Sequence, residues 1–353
     1  MHEKNMLSPV VSVVIPIYNH ERFLGKCIRS VLKQSFQNFE LILVNSGSTD
    51  KSLSICQKYE KKDSRISIIN KQNEGLAQSR KDGFLKACGD YILFIDSDDY
   101  LYKDAISTLL GIATEHHVDM VVGNYDCVCD DWGVIARKGK PYNCANRIIK
   151  NRELKEMFLG IEYNEDNLVG IFVLGNLYRR SCMMRALNNE EDFLFPPHHK
   201  AVLEDLSFNL VLVSYIQTCW VTNKVLYHYR YGGVTSRCFP FISEGGYYFD
   251  YRYDQCLLNH CEHFLLNTFR YYQTLLIWET CGRMHYRKES MATLRVFLEE
   301  ELRHRKICIW AEQKQDFDID EIITSAIRRE KSLQKRHYWK KAMLRIYQNV
   351  VNL

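Results

Sequence analysis

Over the first 120 positions the chain alternates between two hydrophobic rhythms. Short, nearly continuous β-branched runs such as VVSVVIPI (Val10–Ile17) mark strands buried on both faces, and between them apolar residues recur at helical spacing. Strands are predicted at Val10–Ile17, Phe39–Val44, Ile66–Ile69, Tyr91–Ile95 and Met120–Gly123. Helices are predicted over Glu21–Lys33 with Asn19 as its cap, from Ser48 or Thr49 to Tyr59, over Leu76–Ala87 with Gly89 ending it, and over Ala105–His116. Such a β-α-β-α order implies an α/β fold, with a mostly parallel sheet covered by helices on both faces. The rhythm breaks after Asn124. Residues 125–240 mix short strands and loops with helices at Arg152–Leu159 and Leu203–Tyr215 and a strand at Val221–Tyr229. Beyond the glycine-containing stretch Ser243–Gly246 the periodicity is helical to the end, with a loop at Lys314–Asp320. Three regions follow: 1–124, 125–242 and a C-terminal helical region 243–353.

Composition narrows the class. A chain of 353 residues with 46% hydrophobic residues suits two or three abutting units, each with a core of its own. The net charge of +4 is too mild to argue for nucleic acid, and no nucleic-acid partner is expected. The 13 cysteines are odd in number and contain no CxxC spacing, which reads as reduced, mostly buried thiols in a cytoplasmic protein. The opening MHEKNMLSPV lacks the apolar core of a signal peptide, and no run of 18 apolar residues occurs. The last 23 residues carry six Lys or Arg, no acid, and interleaved Tyr338, Trp339, Met343, Leu344 and Ile346. Two readings of 331–353 stand side by side: a helix docked on the body, or a basic amphipathic helix lying on the inner face of the cell membrane. Cys256, His260 and His263 share a helical face, but their spacing is not that of a zinc site.

Ligands of doubly wound sheets bind beyond the carboxyl ends of the strands, so the residues just after each predicted strand come first. They are Tyr18 and Asn19, the NSGSTD run Asn45–Asp50, Asn73–Gly75, and Asp96–Asp99. Loop and capping chemistry accounts for Asn19 and Thr49. It accounts poorly for Asp96-Ser97-Asp98-Asp99, since one capping Asp would serve the next helix. Close carboxylates at a strand end suit a hard divalent cation, Mg²⁺ or Mn²⁺, shared with substrate phosphates.

The ordered series VSVVIPIYN, NSGSTD, NEGLAQSRKDG and GDYILFIDSDD resembles the family 2 glycosyltransferases of GT-A fold, and the likeness resumes at GNLYRRS, FPPHHKAVLEDLSF and YHYRYGGVTS, spanning roughly residues 8–237. The resemblance implies that 1–124 is the nucleotide-sugar half and 125–242 the acceptor-side half. It implies that Pro16, Tyr18 and Asn19 line the nucleotide end of the cleft, that Asp96-Ser97-Asp98 is the DxD motif, and that Arg80 lies near the donor. Asp96 would contact the ribose and Asp98 would ligate the metal; Asp99 would cap the next helix or orient its neighbours. Arg80 also reads as a helix-surface charge.

Two departures matter. Where the family commonly has two acids before GST, this chain has Asn45 and Ser46, although Asp50 is present. The second of those acids usually helps bind the nucleotide, so Ser46 is the donor-binding residue there and the default of a UDP sugar is weakened. The family's ARN becomes SRK at Ser79–Lys81.

Sugar transfer needs a base for the acceptor hydroxyl and stabilisation of the leaving diphosphate. By resemblance Asp205 of LEDLSF is the base and Glu204 its support; by dipole logic the pair is an acidic first helical turn. In YHYRYGGVTSR, His228, Arg230 and Arg237 are candidates to close over the diphosphate, since Arg suits bidentate phosphate contacts. Base and leaving group on opposite faces imply single in-line displacement with inversion.

The expectation is a metal-dependent inverting glycosyltransferase using Mn²⁺ or Mg²⁺. It would move a hexose or N-acetylhexosamine, with UDP the common carrier, to a glycan or lipid-linked glycan acceptor in bacterial surface polysaccharide or cell-wall glycan synthesis. The rival expectation is a non-catalytic nucleotide-sugar or glycan-binding protein of the same fold. A nucleotidylyltransferase is set aside, because the first strand is followed by PIYNHERF and not by a Gly-rich basic loop.

Overall fold

The structure, a computed structural model, describes residues 8–129, 134–159, 172–196, 204–230, 247–261, 264–313 and 318–331. The chain divides into two compact units, Met1–Arg237 and Cys238–Leu353.

The first unit is organised by one ten-stranded sheet. Its centre is β1 (Val11–Ile17), all seven residues of which are buried. β2 (Phe39–Ser46) and β4 (Tyr91–Phe94) flank it, and β3 (Ile66–Lys71) lies beyond β2. All these pairings are parallel. Continuous burial explains why these strands carry unbroken apolar runs. The helices α1 (Glu21–Leu32), α2 (Ser52–Glu60), α3 (Leu76–Lys86) and α4 (Ala105–Glu115) alternate with them. On α1 the buried residues Leu24, Cys27, Ile28 and Val31 form one stripe at i, i+3, i+4 and i+7. α3 packs so close to the sheet that a Cβ on Gly83 would lie 2.3 Å from Val14 Cγ1.

Past β4 the sheet becomes mixed. The further strands are β5 (Tyr100–Leu101), β6 (Met120–Cys129), β7 (Val134–Arg137), β8 (Arg147–Lys150), β9 (Leu177–Arg179) and β10 (Thr218–Arg230). The path runs β3-β2-β1-β4-β9-β6-β10-β5, and β9 is antiparallel to both β4 and β6. Among the described residues only β6 and β10 pair in parallel there. The parallel character predicted for the sheet therefore belongs to its first half. Helices α5 (Asn151–Leu159), α6 (Arg180–Leu194) and α7 (Glu204–Leu212) belong to the same unit.

Two capping assignments are corrected. Asn19 does not cap α1: at φ 55° its Oδ1 accepts from the Thr49 N–H at 2.8 Å, and its own N–H donates to Ser48 Oγ at 3.1 Å. The helix starts are served by Asp50, which accepts from the N–H of Ser52 at 2.9 Å and of Glu21 at 2.9 Å. Because Ser48, Thr49 and Asp50 are engaged in this lacing, α2 begins at Ser52, later than predicted.

The second unit contains the helices Tyr247–Leu258, Leu265–Gly282, Met291–His304 and Lys306–Gln313, with a π-helical turn at Arg283–Arg287. Its core is aromatic: the rings of Phe249 and Tyr272 lie 4.7 Å apart and both are buried. The Tyr272 hydroxyl is hydrogen-bonded to Glu301, which pairs with Arg305 at 3.0 Å. Cys27, Cys56, Cys127, Cys182, Cys219, Cys256, Cys261, Cys281 and Cys308 are buried and in no disulfide. Among the described residues no helix is long and apolar enough to cross a membrane. Arg237, His263 and the basic segment 332–353 lie outside the described residues.

Candidate active site

The ends of β1 to β4 meet at the carboxyl edge of the sheet, around a cavity of about 420 Å³. Pro16 and Tyr18 enter from β1, Ser46 from β2, Asn73 and Gly75 after β3, and Asp96, Ser97 and Asp98 after β4. Gly75 stands at φ 93° before α3, a conformation costly for any side chain. That turn delivers Arg80 of α3 to the cavity, opposite Glu204 and Asp205 in the first turn of α7.

Arg80 is the hub. Its side chain is 3% exposed; Nη1 donates to Asp205 Oδ1 at 2.5 Å and Nη2 to Asp96 Oδ1 at 3.2 Å. Burial works against its charge, but the carboxylates of Asp205 and Asp96 more than offset this and hold the guanidinium more firmly protonated than usual. The helix-surface reading of Arg80 is thereby corrected, because the side chain points into the fold. Asp205 also receives the Val173 N–H on Oδ2, at a long 3.4 Å. Burial and the neighbouring Asp205 charge push Glu204 up to about 7, against the pull of Arg80. Burial likewise lifts Asp96 to about 6, against Arg80 and with Asp98.

The acidic cluster divides by partner. Carboxylate oxygens of Asp96, Asp98 and Asp99 lie within 4.8 Å of one another. Asp99 is 2% exposed and committed to the fold: Oδ2 accepts from the Tyr227 hydroxyl at 2.6 Å and Oδ1 from the Arg230 N–H at 2.6 Å. Burial, then the Asp98 charge, raise it well above the usual carboxylate range. It caps no helix; Asp104 stands at the start of α4. Asp99 fixes β10 against the β4 turn, and the Asp96 N–H donates to the same Tyr227 hydroxyl at 3.2 Å. Asp98 and the second oxygen of Asp96 remain as hard-oxygen donors facing the cavity, a set that fits Mg²⁺ or Mn²⁺.

Ser97 is buried, with Oγ 2.6 Å from His20 Nδ1. Ser46 Oγ donates to Asn73 Oδ1 at 3.3 Å, while Asn45 turns into the sheet and bonds Asn70 at 2.7 Å. Arg230 lines the cavity, with Nε donating to the Asp98 carbonyl at 2.9 Å and its guanidinium 4.1 Å from the Phe23 ring centroid.

Two of the predicted donor-binding residues are not brought to the cavity. Asn19 is spent on the 48–49 loop, as above. His228 stacks on the rings of Tyr100 and Tyr102, at 4.2 and 3.9 Å, and burial pulls it down to about 4. A neutral, sandwiched imidazole makes no phosphate clamp. Conversely, His20, Asn73, Phe172 and Tyr229 line the cavity without having been assigned to it. Asn73 sat in a strand-end run already singled out. His20 follows the YN pair directly. Phe172, whose ring centroid is 5.6 Å from that of Tyr229, carries no local signal in the sequence.

Comparison with known proteins bears on family and fold. Residues 12–185 match the family described as glycosyl transferase family 2. The glycosyltransferase EpsJ of Bacillus subtilis is 34% identical over 224 residues, 63% of this chain and 61% of EpsJ. Glycosyltransferase GlyG of Streptococcus pneumoniae is 42% identical over 120 residues, 34% of this chain and 40% of GlyG. The chain thus spans less than two thirds of either relative. Among solved structures, S. aureus TarS 1–349 in complex with UDP-GlcNAc superposes with a TM-score of 0.62 at 19% identity, over 92% of this chain and 91% of that one. The chain belongs to the family 2 glycosyltransferases and has their GT-A fold.

Proposed function

We propose that this glycosyltransferase acts by divalent-cation-dependent, inverting transfer from a nucleotide-sugar donor to a hydroxyl of a glycan acceptor. The observation that carries the reading is Arg80, which ties the carboxylate of Asp205 on α7 to that of Asp96 after β4 within one cavity.

The roles follow from the contacts. Asp98, with Asp96, would hold Mn²⁺ or Mg²⁺ against the donor diphosphate. The cation, when bound, neutralises charge on the leaving group. Pro16, Tyr18, Ser46 and Ser97 would line the nucleotide end of the cleft, and Arg230 would contribute positive charge beside Asp98. Asp205 is the base. Arg80 holds it through Oδ1, and Oδ2, which among the described residues has only a long contact to Val173, is the oxygen that would meet the acceptor hydroxyl. The acceptor oxygen forms its bond to the anomeric carbon as the bond to the diphosphate oxygen breaks. The acceptor proton passes to Asp205 Oδ2, and the electron pair leaves with the nucleoside diphosphate. Attack opposite the leaving group inverts the anomeric configuration. Glu204, titrating near neutrality, supplies a hydrogen-bonding carboxyl beside the base.

A UDP-linked hexose or N-acetylhexosamine is the donor class we favour. The UDP-GlcNAc complex of the similarly folded TarS supports it; Ser46 in place of an acid at the nucleotide end weighs against it. The acceptor class proposed is a bacterial surface or cell-wall glycan.

The test is donor turnover with Mn²⁺ across a panel of nucleotide sugars, in wild type, Asp98→Ala and Asp205→Asn. Asp98→Ala should abolish the cation-dependent donor stabilisation seen by thermal shift. Asp205→Asn should keep donor binding and lose 10²–10⁴-fold in transfer, roughly the worth of a general base. Wild type that binds a donor yet never turns it over would favour the non-catalytic alternative.

A further inference from the structure

Phe172 lines the active-site cavity and has no part in the roles assigned above. The backbone brings it to the base. Val173, the next residue, gives its N–H to Asp205 Oδ2 at 3.4 Å, the oxygen that would meet the acceptor hydroxyl. Phe172 therefore stands on the base's wall of the cavity, whereas the nucleotide end is built from Pro16 on β1 and Ser46 on β2. The segment is firmly held. The Phe172 carbonyl accepts from Asn176 Nδ2 at 2.7 Å and from Asn209 Nδ2 at 3.1 Å, and the Val173 carbonyl accepts from the Tyr178 hydroxyl at 3.2 Å. Asn176, Asn209 and Tyr178 are all buried. Asn209 lies on α7, the helix that carries Asp205, so ring and base are set in register by one element.

Other rings brace it. Tyr229 has its centroid 5.6 Å from that of Phe172, with the planes at 31°, and Tyr125 meets Phe172 edge-on at 5.4 Å and 85°. These three rings are half-buried, whereas Tyr178 and Phe208 in the same unit are buried. Flat apolar surface left in a cavity otherwise walled by Arg80, Asp98, Glu204 and Asp205 is unfavourable in water, and a ligand that covers it relieves this. The chemistry of the two walls selects the ligand. The positively polarised C–H bonds on one face of a pyranose suit the negative face of an aromatic ring, and its hydroxyls suit the polar groups around it. In a β-glucopyranose the axial hydrogens of C1, C3 and C5 share one face. An acyclic polyol phosphate keeps no such face, and its charge would meet Glu204 and Asp205.

We infer that Phe172, braced by Tyr229 and Tyr125, is the platform of the acceptor subsite, and that the acceptor presents there an uncharged pyranose, its C–H face on the ring and one hydroxyl at Asp205 Oδ2. This deepens the transferase reading and rests on it for the reaction, but not for the binding measurement.

Saturation-transfer NMR on the full chain, with UDP and Mn²⁺ present, tests this. The probes are methyl β-D-glucopyranoside, methyl β-D-galactopyranoside and methyl N-acetyl-β-D-glucosaminide, with glycerol phosphate as the acyclic, charged control. Saturation should reach the ring C–H face of at least one pyranoside and should pass over glycerol phosphate. Titration of that pyranoside should give about threefold weaker binding in Phe172→Leu, which keeps apolar bulk without a flat ring, and about tenfold weaker binding in Phe172→Ala. Phe172→Trp should retain it. The thermal shift given by a nucleotide sugar with Mn²⁺ should be the same in all four proteins. No pyranoside bound by wild type, equal affinity in wild type and both truncated variants, or preference for glycerol phosphate overturns the proposal. Loss of nucleotide-sugar stabilisation in Phe172→Leu with pyranoside binding intact also overturns it, by placing the ring against the donor sugar. Failure of every nucleotide sugar to stabilise wild type would count against the donor reading and leave the pyranoside comparison, repeated without UDP, standing.

Discussion

Replacing Arg80 tests the site at its most connected point. Arg80→Ala leaves Asp96 and Asp205 without the cation between them, beside Glu204, Asp98 and Asp99. Breaking a buried ion pair from one side costs about 3–5 kcal/mol. The side chains of Asp205 and Asp96 are 20% and 25% exposed, so water can resolvate both in part, and the lower end, about 3 kcal/mol, is expected. For a unit of this size that lowers Tm by on the order of 6–12 °C. Catalysis should suffer beyond stability. Without Arg80 the carboxylate of Asp205 loses the hydrogen bond that orients it in the cavity, and transfer falls with that loss. Arg80→Lys separates the two effects, restoring charge but not the fork that spans two carboxylates. It should regain much of the Tm and little of the rate. The assays are differential scanning fluorimetry and the initial rate of transfer from pH 5 to 9. The reasoning is refuted if Arg80→Ala melts within about 2 °C of wild type and keeps its rate of transfer.

Glu204 makes a pH prediction of definite sign. Its folded-state value, about 7, lies above the ordinary 4.5, so the native state holds the proton more tightly and stability falls as pH rises through that window. Glu204→Gln should flatten the part of the Tm-versus-pH curve between 4.5 and 7 that this group supplies, and unfolding midpoints at half-unit steps would show it. Gly83→Ala should destabilise the first unit by about 1–3 kcal/mol, because a Cβ at 2.3 Å from Val14 forces α3 off the sheet. Chemical denaturation checks this, and a change below about 0.5 kcal/mol would mean that α3 moves away without cost.

The parallel half of the fold was legible because its strands are buried on both faces, so apolar runs and intervening helix periodicity carry the order without ambiguity. The second half was less so. β9 is three residues long and inserts antiparallel between β4 and β6. Its placement is set by pairing across more than fifty residues and leaves no local pattern. The same divide holds in the cavity. Residues after strand ends, from Tyr18 to Asp98, were found because topology aims them at the sheet edge. Asn19 and His228 were misplaced for a common reason: a polar residue beside a site has several partners open to it. Asn19 found Thr49 and His228 found two tyrosine rings, and neither choice is written in the residue itself.

That three carboxylates can crowd after β4 follows from their unequal fates. Asp99 is held within the protein by Tyr227 and Arg230, and Asp96 gives one oxygen to Arg80. Among the described residues, Asp98 and the remaining oxygen of Asp96 line the cavity with no side chain of the fold bonded to them. The same three partners reach beyond the cluster: Tyr227 and Arg230 belong to β10, and Arg80 holds Asp205 on α7. The acidic turn therefore joins β4 to the second half of the sheet and to the proposed base, Asp205.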